Sequence, residues 1–180
     1  MKNFVYALVA ILMGIFFTAC SNGGGTSPIF TTTTTSQTNL NDGLIAHYEF
    51  EDNADDSSGN NNNGAEYGGV TYTDGIIGKA ASFDGVDSYI ETNTFTDKWD
   101  TWSVSVFIKA KDTSKNAMIV ERERIGGYYD FNLFVKSDAK VQVETDNSDD
   151  TYTISNTSID TDKWYHLIAI YDGTKRYIYM

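Results

Sequence analysis

The sequence predicts an all-β protein, folded as a sandwich of two antiparallel sheets. From Leu44 to Phe50, apolar and polar residues alternate with the period of a half-buried strand. Short apolar stretches then recur between turn signals such as Asp84-Gly85 and Asp172-Gly173, which adopt positive φ at low cost. Beyond the first twenty residues, no helical periodicity extends past about one turn.

Strand-like stretches follow one another at the spacing typical of a sandwich. The sequence predicts ten of them after Phe50: Val70–Tyr72, Ala80–Phe83, Tyr89–Glu91, Trp102–Ile108, Met118–Arg122, Tyr129–Val135, Lys140–Glu144, Tyr152–Ile154, Trp164–Tyr171 and Tyr177–Met180.

Two of these stretches define the pattern best. Trp102–Ile108 places large apolar residues at alternate positions, with Ser103 and Ser105 between them, so one face looks inward. Trp164–Tyr171 is largely apolar on both faces, as expected of a central strand that is covered on each side.

Composition sets the broad class. The chain has 180 residues, of which 41% are apolar and 14% aromatic, enough for one domain with a substantial core. The formal net charge of -12 argues against a nucleic-acid partner, because phosphate binding needs a clustered positive surface. Cys20 is the single cysteine, so no disulfide forms within the chain.

The first nineteen residues have the layout of a secretory signal peptide. Lys2 precedes the apolar run 4–17, which is short for a membrane-spanning helix. Phe17-Thr18-Ala19-Cys20 resembles the lipobox of bacterial lipoproteins, which implies cleavage before Cys20 and lipidation of that residue. The alternative is an ordinary signal peptide with a chance cysteine.

Residues 20–42 are predicted to be the lipidated cysteine and a flexible tether. They contain Gly23-Gly24-Gly25, the threonine run 31–35 and too few large apolar residues for a core. Ser21, where inner-membrane lipoproteins of enteric bacteria carry aspartate, favours an extracytoplasmic outer-membrane or cell-surface address by resemblance. The folded domain is then expected to occupy residues 43–180.

Several motifs in this domain resemble one family. They are Asp56-Ser57-Ser58-Gly59-Asn60, the phrase Gly78-Lys79-Ala80-Ala81-Ser82-Phe83-Asp84-Gly85-Val86-Asp87-Ser88-Tyr89-Ile90, the stretch 102–110, and Trp164-Tyr165-His166-Leu167 with Tyr171-Asp172-Gly173-Thr174. In this order they are similar to the laminin-G-like domains of the concanavalin A-like lectin/glucanase superfamily. The resemblance implies a two-sheet antiparallel jelly-roll sandwich that binds glycans or protein ligands, often with calcium.

The end of the chain departs from the family pattern. Family members continue after the late strand with a hairpin and one or two further strands, whereas this chain stops at Tyr177-Ile178-Tyr179-Met180. We therefore expect the last strands to be missing. We also expect the 180-residue form, expressed alone, to aggregate or to be sensitive to proteases.

The acidic, asparagine-rich stretch Asp52–Gly64 is predicted to bind calcium, which prefers six to eight oxygen ligands. An EF-hand is excluded, because counting from Asp56 puts Tyr67 where a bidentate glutamate is needed. By resemblance, the predicted ligands are Asp52, Asp56, Asn60 and Asn62, completed by Asp84. The alternative is that these residues only fold a solvated loop.

Catalysis is not expected. Retaining glycoside hydrolysis needs two carboxyl groups about 5 Å apart, and superfamily glucanases supply them as Glu-x-Asp-x-Glu. The sequence lacks this triplet. The pair Glu49 and Glu51 runs into a turn, and Glu121 and Glu123 alternate with arginines.

We therefore predict a surface-anchored module that binds carbohydrate. The alternatives are adhesion to a protein, or an accessory domain of a larger glycoside-processing protein. Trp99, Arg124, Tyr128 and Asn132 are the predicted contact residues, because exposed aromatic and planar polar side chains suit sugars. The competing interpretation is that such aromatics cover the rim of the sandwich. His47 and His166 are expected to pack and to hydrogen-bond the backbone.

Overall fold

The computed structural model describes residues 5–12, 41–92, 99–124, 128–145 and 152–180, and the regular structure within them is all strand. The strands are β1 Val5–Leu12, β2 Leu44–Tyr48, β3 Ala65–Tyr67, β4 Thr71–Asp74, β5 Lys79–Ser82, β6 Tyr89–Glu91, β7 Trp102–Ala110, β8 Ala117–Arg124, β9 Tyr128–Val135, β10 Lys140–Glu144, β11 Tyr152–Ser158, β12 Trp164–Tyr171 and β13 Arg176–Tyr179. No helix long and apolar enough to cross a membrane occurs in these ranges.

Two antiparallel sheets form the sandwich. The larger sheet has the order β13-β12-β7-β1-β5-β4, with β2 also paired to β1, and the smaller sheet has the order β11-β10-β9-β8. Strands β3 and β6 form a separate ribbon. The all-β jelly-roll prediction is confirmed.

The core lies between the two sheets, and β7 shows how the sequence builds it. Its residues alternate between buried and half-buried along the whole strand, so Trp102, Val104, Val106 and Ile108 face inward. Leu167 and Ala169 of β12 pair with Val106 and Val104 and face the same way. Residues of β9 and β10 complete the core from the opposite sheet: Phe131, Leu133, Val135, Val141 and Val143.

The strand predictions hold from β2 onward, with boundaries that differ by a few residues. The ribbon strand Ala65–Tyr67 was not predicted, because all three of its residues are exposed and carry no core-facing alternation. Strand β12 differs from expectation: its inward face is buried, but His166 on the other face is exposed.

The N-terminal segment has a place that the sequence did not predict. Val5–Leu12 lies within the predicted signal peptide, yet in the structure it forms a central strand of the larger sheet. Removal of residues 1–19 is a matter of processing and stays a prediction, as do the lipidation of Cys20 and the tether 20–42. Cys20 and residues 21–40 lie outside the described residues.

Candidate functional site

The acidic, asparagine-rich loop, residues 52–64, covers one edge of β2. Asn60 Nδ2 donates to the carbonyl oxygens of Leu44 (2.7 Å) and Ile45 (3.1 Å), and Asn62 Nδ2 donates to Ile45 (2.8 Å). From the same loop, Asp56 accepts the His47 N–H at 2.9 Å. These side chains therefore supply hydrogen bonds that a neighbouring strand would otherwise provide.

Both oxygens of Asp56 are used for this structural task. Oδ1 accepts the N–H groups of His47 and Ser58, both at 2.9 Å, and Oδ2 accepts the Ser58 hydroxyl at 2.8 Å and the Asn62 N–H at 2.9 Å. Burial opposes ionisation, but these hydrogen bonds outweigh it and hold the pKa of Asp56 below its ordinary value. Four donors occupy the four lone-pair directions of this carboxylate.

The other two predicted carboxylate ligands belong to different local structures. Asp52 lies 3.9 Å from Lys79 Nζ. Asp84 Oδ1 accepts hydrogen bonds within its own turn, from the N–H groups of Val86, Asp87 and Ser88 and from the Ser88 hydroxyl. The Val86 bond is the largest cause that lowers the pKa of Asp84 to about 2.

The structure thus brings Asp56, Asn60 and Asn62 together, whereas the Asp84 carboxylate is engaged within its own turn. Among the described residues, no group of three or more His, Cys, Asp or Glu side chains is placed to hold a metal ion. These hydrogen bonds fit the alternative interpretation, in which the Asp and Asn residues only fold a solvated loop. Calcium binding stays a prediction.

Trp99 is not a surface residue, which corrects its predicted role in direct ligand contact. Its side chain is only 7% exposed and stacks on Phe131 at a centroid distance of 6.4 Å. The guanidinium carbon of Arg122 lies 3.8 Å from the centre of the Trp99 ring. This packing favours the rim interpretation, because the ring closes the core beneath a charged group.

A β-bulge explains how Arg122 is held there. Between β8 and β9 the pairing skips Asp130, so that Arg122 pairs with Phe131 and Glu123 with Tyr129. Asp130 forms an ion pair with Arg122, and both side chains are 6% exposed. The extra residue in the strand gives Asp130 an irregular position opposite Arg122.

The remaining predicted contact residues lie on the same hairpin. Arg124 and Tyr128 are paired across β8 and β9 at its end, and their side chains are outside the described set. Asn132 pairs with Glu121 and is half-buried. Its Oδ1 is buried and has no hydrogen-bond partner among the described residues, which disfavours a simple exposed contact.

Exposed aromatic and polar side chains, the types expected to contact a sugar, lie on a different surface. We define the outer aromatic face as the side of β7, β12 and β13 that points away from the core; its described members are Ser103, Ser105, Phe107, Lys109, Trp164, His166, Ile168, Ile170, Tyr177 and Tyr179. They occupy the positions that alternate with the core residues of these strands.

One hydroxyl and one imidazole are fixed at the centre of this face. Ser105 Oγ lies 2.8 Å from His166 Nε2, and the His166 ring stacks on Phe107 with centroids 4.3 Å apart and planes 13° apart. The packing expected for His166 is present, but its described hydrogen bond goes to a serine side chain rather than to the backbone. The exposed ring is thus held in one orientation.

Two exposed tyrosines lie on the edge strand β13, and Ile168 of β12 stands between Tyr179 and Ser105. Tyr177 pairs with Ile170 and Tyr179 with Ile168, so both share the outer face, and they are 37% and 55% exposed. Since alternate residues of a strand are about 6.8 Å apart, the rings form a short row. Tyr177 is also anchored, because its hydroxyl donates to Asp172 Oδ2 at 3.1 Å.

This combination suits a ligand with both apolar and hydroxyl-bearing faces. Aromatic rings supply flat apolar surface, and serine and histidine supply hydrogen bonds in both directions. On the outer positions of β7, β12 and β13 there is no carboxylate; Lys109, whose Nζ lies 5.0 Å from the centre of the Trp164 ring, is the one formal charge. The sequence signal for this face was the alternation Ser103-x-Ser105-x-Phe107, together with the lone His166 in another predicted strand.

Fold and surface together define a β-sandwich binding module with an open sheet face. The chain belongs to the concanavalin A-like lectin/glucanase superfamily, whose laminin G-type family model matches residues 83–180, more than half of the chain. This membership indicates binding of carbohydrate or protein. None of the curated proteins and none of the solved structures compared with the chain matches it.

Proposed function

We propose that the protein binds carbohydrate on the outer aromatic face, without catalysis. The observation that supports this most is that exposed Tyr177 and Tyr179 share the outer face with the oriented Ser105 and His166 pair, with Ile168 between Tyr179 and Ser105. The apolar face of a sugar ring stacks on tyrosine, while its hydroxyl groups exchange hydrogen bonds with serine and imidazole. The outer positions of β7, β12 and β13 hold no carboxylate and a single lysine, so this face carries little charge, which favours a neutral polysaccharide.

The test is a glycan array probed with the full chain, followed by calorimetry on each glycan that binds. The double variant Tyr177→Ala, Tyr179→Ala should lose binding. Tyr67 and Tyr89 offer a matched control, since they are exposed to a similar extent (43% and 51%) but stack on each other at 4.7 Å on the β3-β6 ribbon. Alanine at both control positions should leave binding unchanged.

The same experiment separates the proposal from its alternatives. Binding to no glycan, together with capture of a defined extracellular protein, would favour adhesion. Glycan binding accompanied by hydrolysis of the bound chain would contradict a purely binding role. An accessory domain would bind the glycan that a linked catalytic domain processes.

We also propose that the module is tethered to a membrane at Cys20 and faces the extracytoplasmic side. The support is the lipobox-like sequence before Cys20 and the glycine- and threonine-rich stretch after it. Detergent phase partitioning of the expressed protein tests this directly. The native sequence should enter the detergent phase, and Cys20→Ala should remain in the aqueous phase; equal partitioning of the two would contradict the anchor.

A further inference from the structure

The central position of the larger sheet is filled by a segment distant in sequence from both of its neighbours. All eight residues of β1 pair with β7, from Val5 opposite Ala110 to Leu12 opposite Ser103. On its other side β1 pairs with β5 through Tyr6 and Ala7, and with β2 through residues 9–12. One strand thus connects three others.

Without β1 the larger sheet would divide. In the described part of the chain β2 has ladder pairing with β1 alone, and β5 and β7 are connected only through β1. Removing this strand would expose backbone N–H and C=O groups along both sides of the gap. Such groups are costly when they lack a partner, and exposed strand edges recruit other strands.

The strand pairing determines the direction and the residue types that a segment in this position must have. Because β2, β5 and β7 all run antiparallel to β1, a single extended segment can pair with all three. Positions 7, 9 and 11 pair with Ile108, Val106 and Val104, whose side chains are fully buried. Directly paired residues share a face of the sheet, so an occupant needs apolar residues at these alternate positions.

From this pairing we infer that the position between β7 and the strands β2 and β5, which β1 occupies in the structure, is a binding groove for an extended peptide. The ligand class is an apolar segment of eight residues without proline, which runs antiparallel to β7 and is held by backbone hydrogen bonds. Val5–Leu12 is the segment of this chemistry that is seated there. The groove borders the proposed glycan surface, because β7 lines the groove with its backbone and also carries Ser103, Ser105 and Phe107.

The test uses the unprocessed full chain, produced without export so that residues 1–19 are retained, with a protease site inserted at Gly23-Gly24-Gly25 within the predicted tether. After cleavage, the N-terminal fragment should co-elute with the rest of the protein on native size exclusion. A labelled peptide of residues 4–13 should then exchange into the complex. The same peptide with Val9→Pro should bind at least about tenfold more weakly, because proline removes a ladder hydrogen bond and does not fit a central strand.

A full chain that carries Val9→Pro and is cleaved in the same way is the matched control, and it should release its fragment. Release of the unmodified fragment from a remainder that stays folded would overturn the inference. Equal binding of the proline peptide would overturn it as well. Dimers that form after cleavage and exclude the peptide would show that a second copy takes the position, which also contradicts it.

Discussion

Ser105 Oγ on β7 lies 2.8 Å from His166 Nε2 on β12, and this contact joins two neighbouring strands on the outer surface of the larger sheet. It fixes the orientation of the exposed imidazole, whereas the ring of a surface histidine without such a contact would rotate freely. A pre-oriented group loses less conformational freedom when a ligand binds. In the proposed function, the pair would give the open face specificity and the tyrosines would give it contact area.

Ser105→Ala should weaken glycan binding about two- to twelvefold, the range expected for one lost hydrogen bond of about 0.5–1.5 kcal/mol. The free energy of unfolding should change little, because the pair is exposed to solvent. Calorimetry on the glycan identified by the array measures the first effect, and urea unfolding the second. Ser137→Ala, on an exposed turn, is the control that should alter neither.

Trp99→Ala should lower the free energy of unfolding by about 3–5 kcal/mol, the usual loss for truncating a large buried aromatic side chain. The ring packs on Phe131 and carries the Arg122 guanidinium, so alanine leaves a cavity beneath a buried charge. Trp99→Phe should lose less. Should Trp99→Ala keep its urea midpoint and lose only ligand binding, the sequence-based prediction of a contact residue would be right after all.

Asp56→Ala should lower the free energy of unfolding by about 2–4 kcal/mol, because several charge-assisted hydrogen bonds to the loop are lost together. The loss should be the same with EDTA and with added Ca²⁺, since Asp56 acts through these hydrogen bonds. Calcium binding is tested separately, by the melting temperature of the unmodified protein, which should rise when Ca²⁺ is added. A defect of Asp56→Ala that appears only with calcium would make Asp56 a metal ligand.

Stability should decline in acid partly through Asp84. Its pKa is about 2 in the folded protein, against an ordinary value of 3.8. The folded-state pKa is lowered, so the stabilisation is present above pH 4 or so and is lost as the pH falls towards 2. Asp84→Asn keeps an acceptor oxygen but does not titrate. Its stability difference from the unmodified chain should therefore shrink between pH 4 and pH 2, and a constant difference would contradict this account.

Local patterns were enough to predict most of the sandwich. The alternation in Trp102–Ile108 gave both the strand and its inward face, which the burial of Trp102 and Val104 confirms. The two-residue period is a local property, so it survives without knowledge of the partner strands. The place of Val5–Leu12 in the sheet could not be predicted, because an apolar run reads equally well as a signal sequence.

The site was harder to predict, because exposure depends on what packs nearby. Trp99 stands among charged residues in the sequence, but the two sheets enclose it beside Phe131. Asp56 has the composition of a metal ligand, although the nearby backbone N–H groups take its lone pairs. His166 looked isolated because Ser105 is 61 residues away along the chain.

Titration of the glycan identified on the array into the full chain and into the double variant Tyr177→Ala, Tyr179→Ala tests the central claim most directly. Since 1.4 kcal/mol is a factor of ten in Kd, losing two stacking rings should weaken binding by at least about tenfold, with the urea midpoint preserved. An unchanged Kd in the double variant, with binding lost in the Tyr67→Ala, Tyr89→Ala control, would contradict the account and place the site on the β3-β6 ribbon.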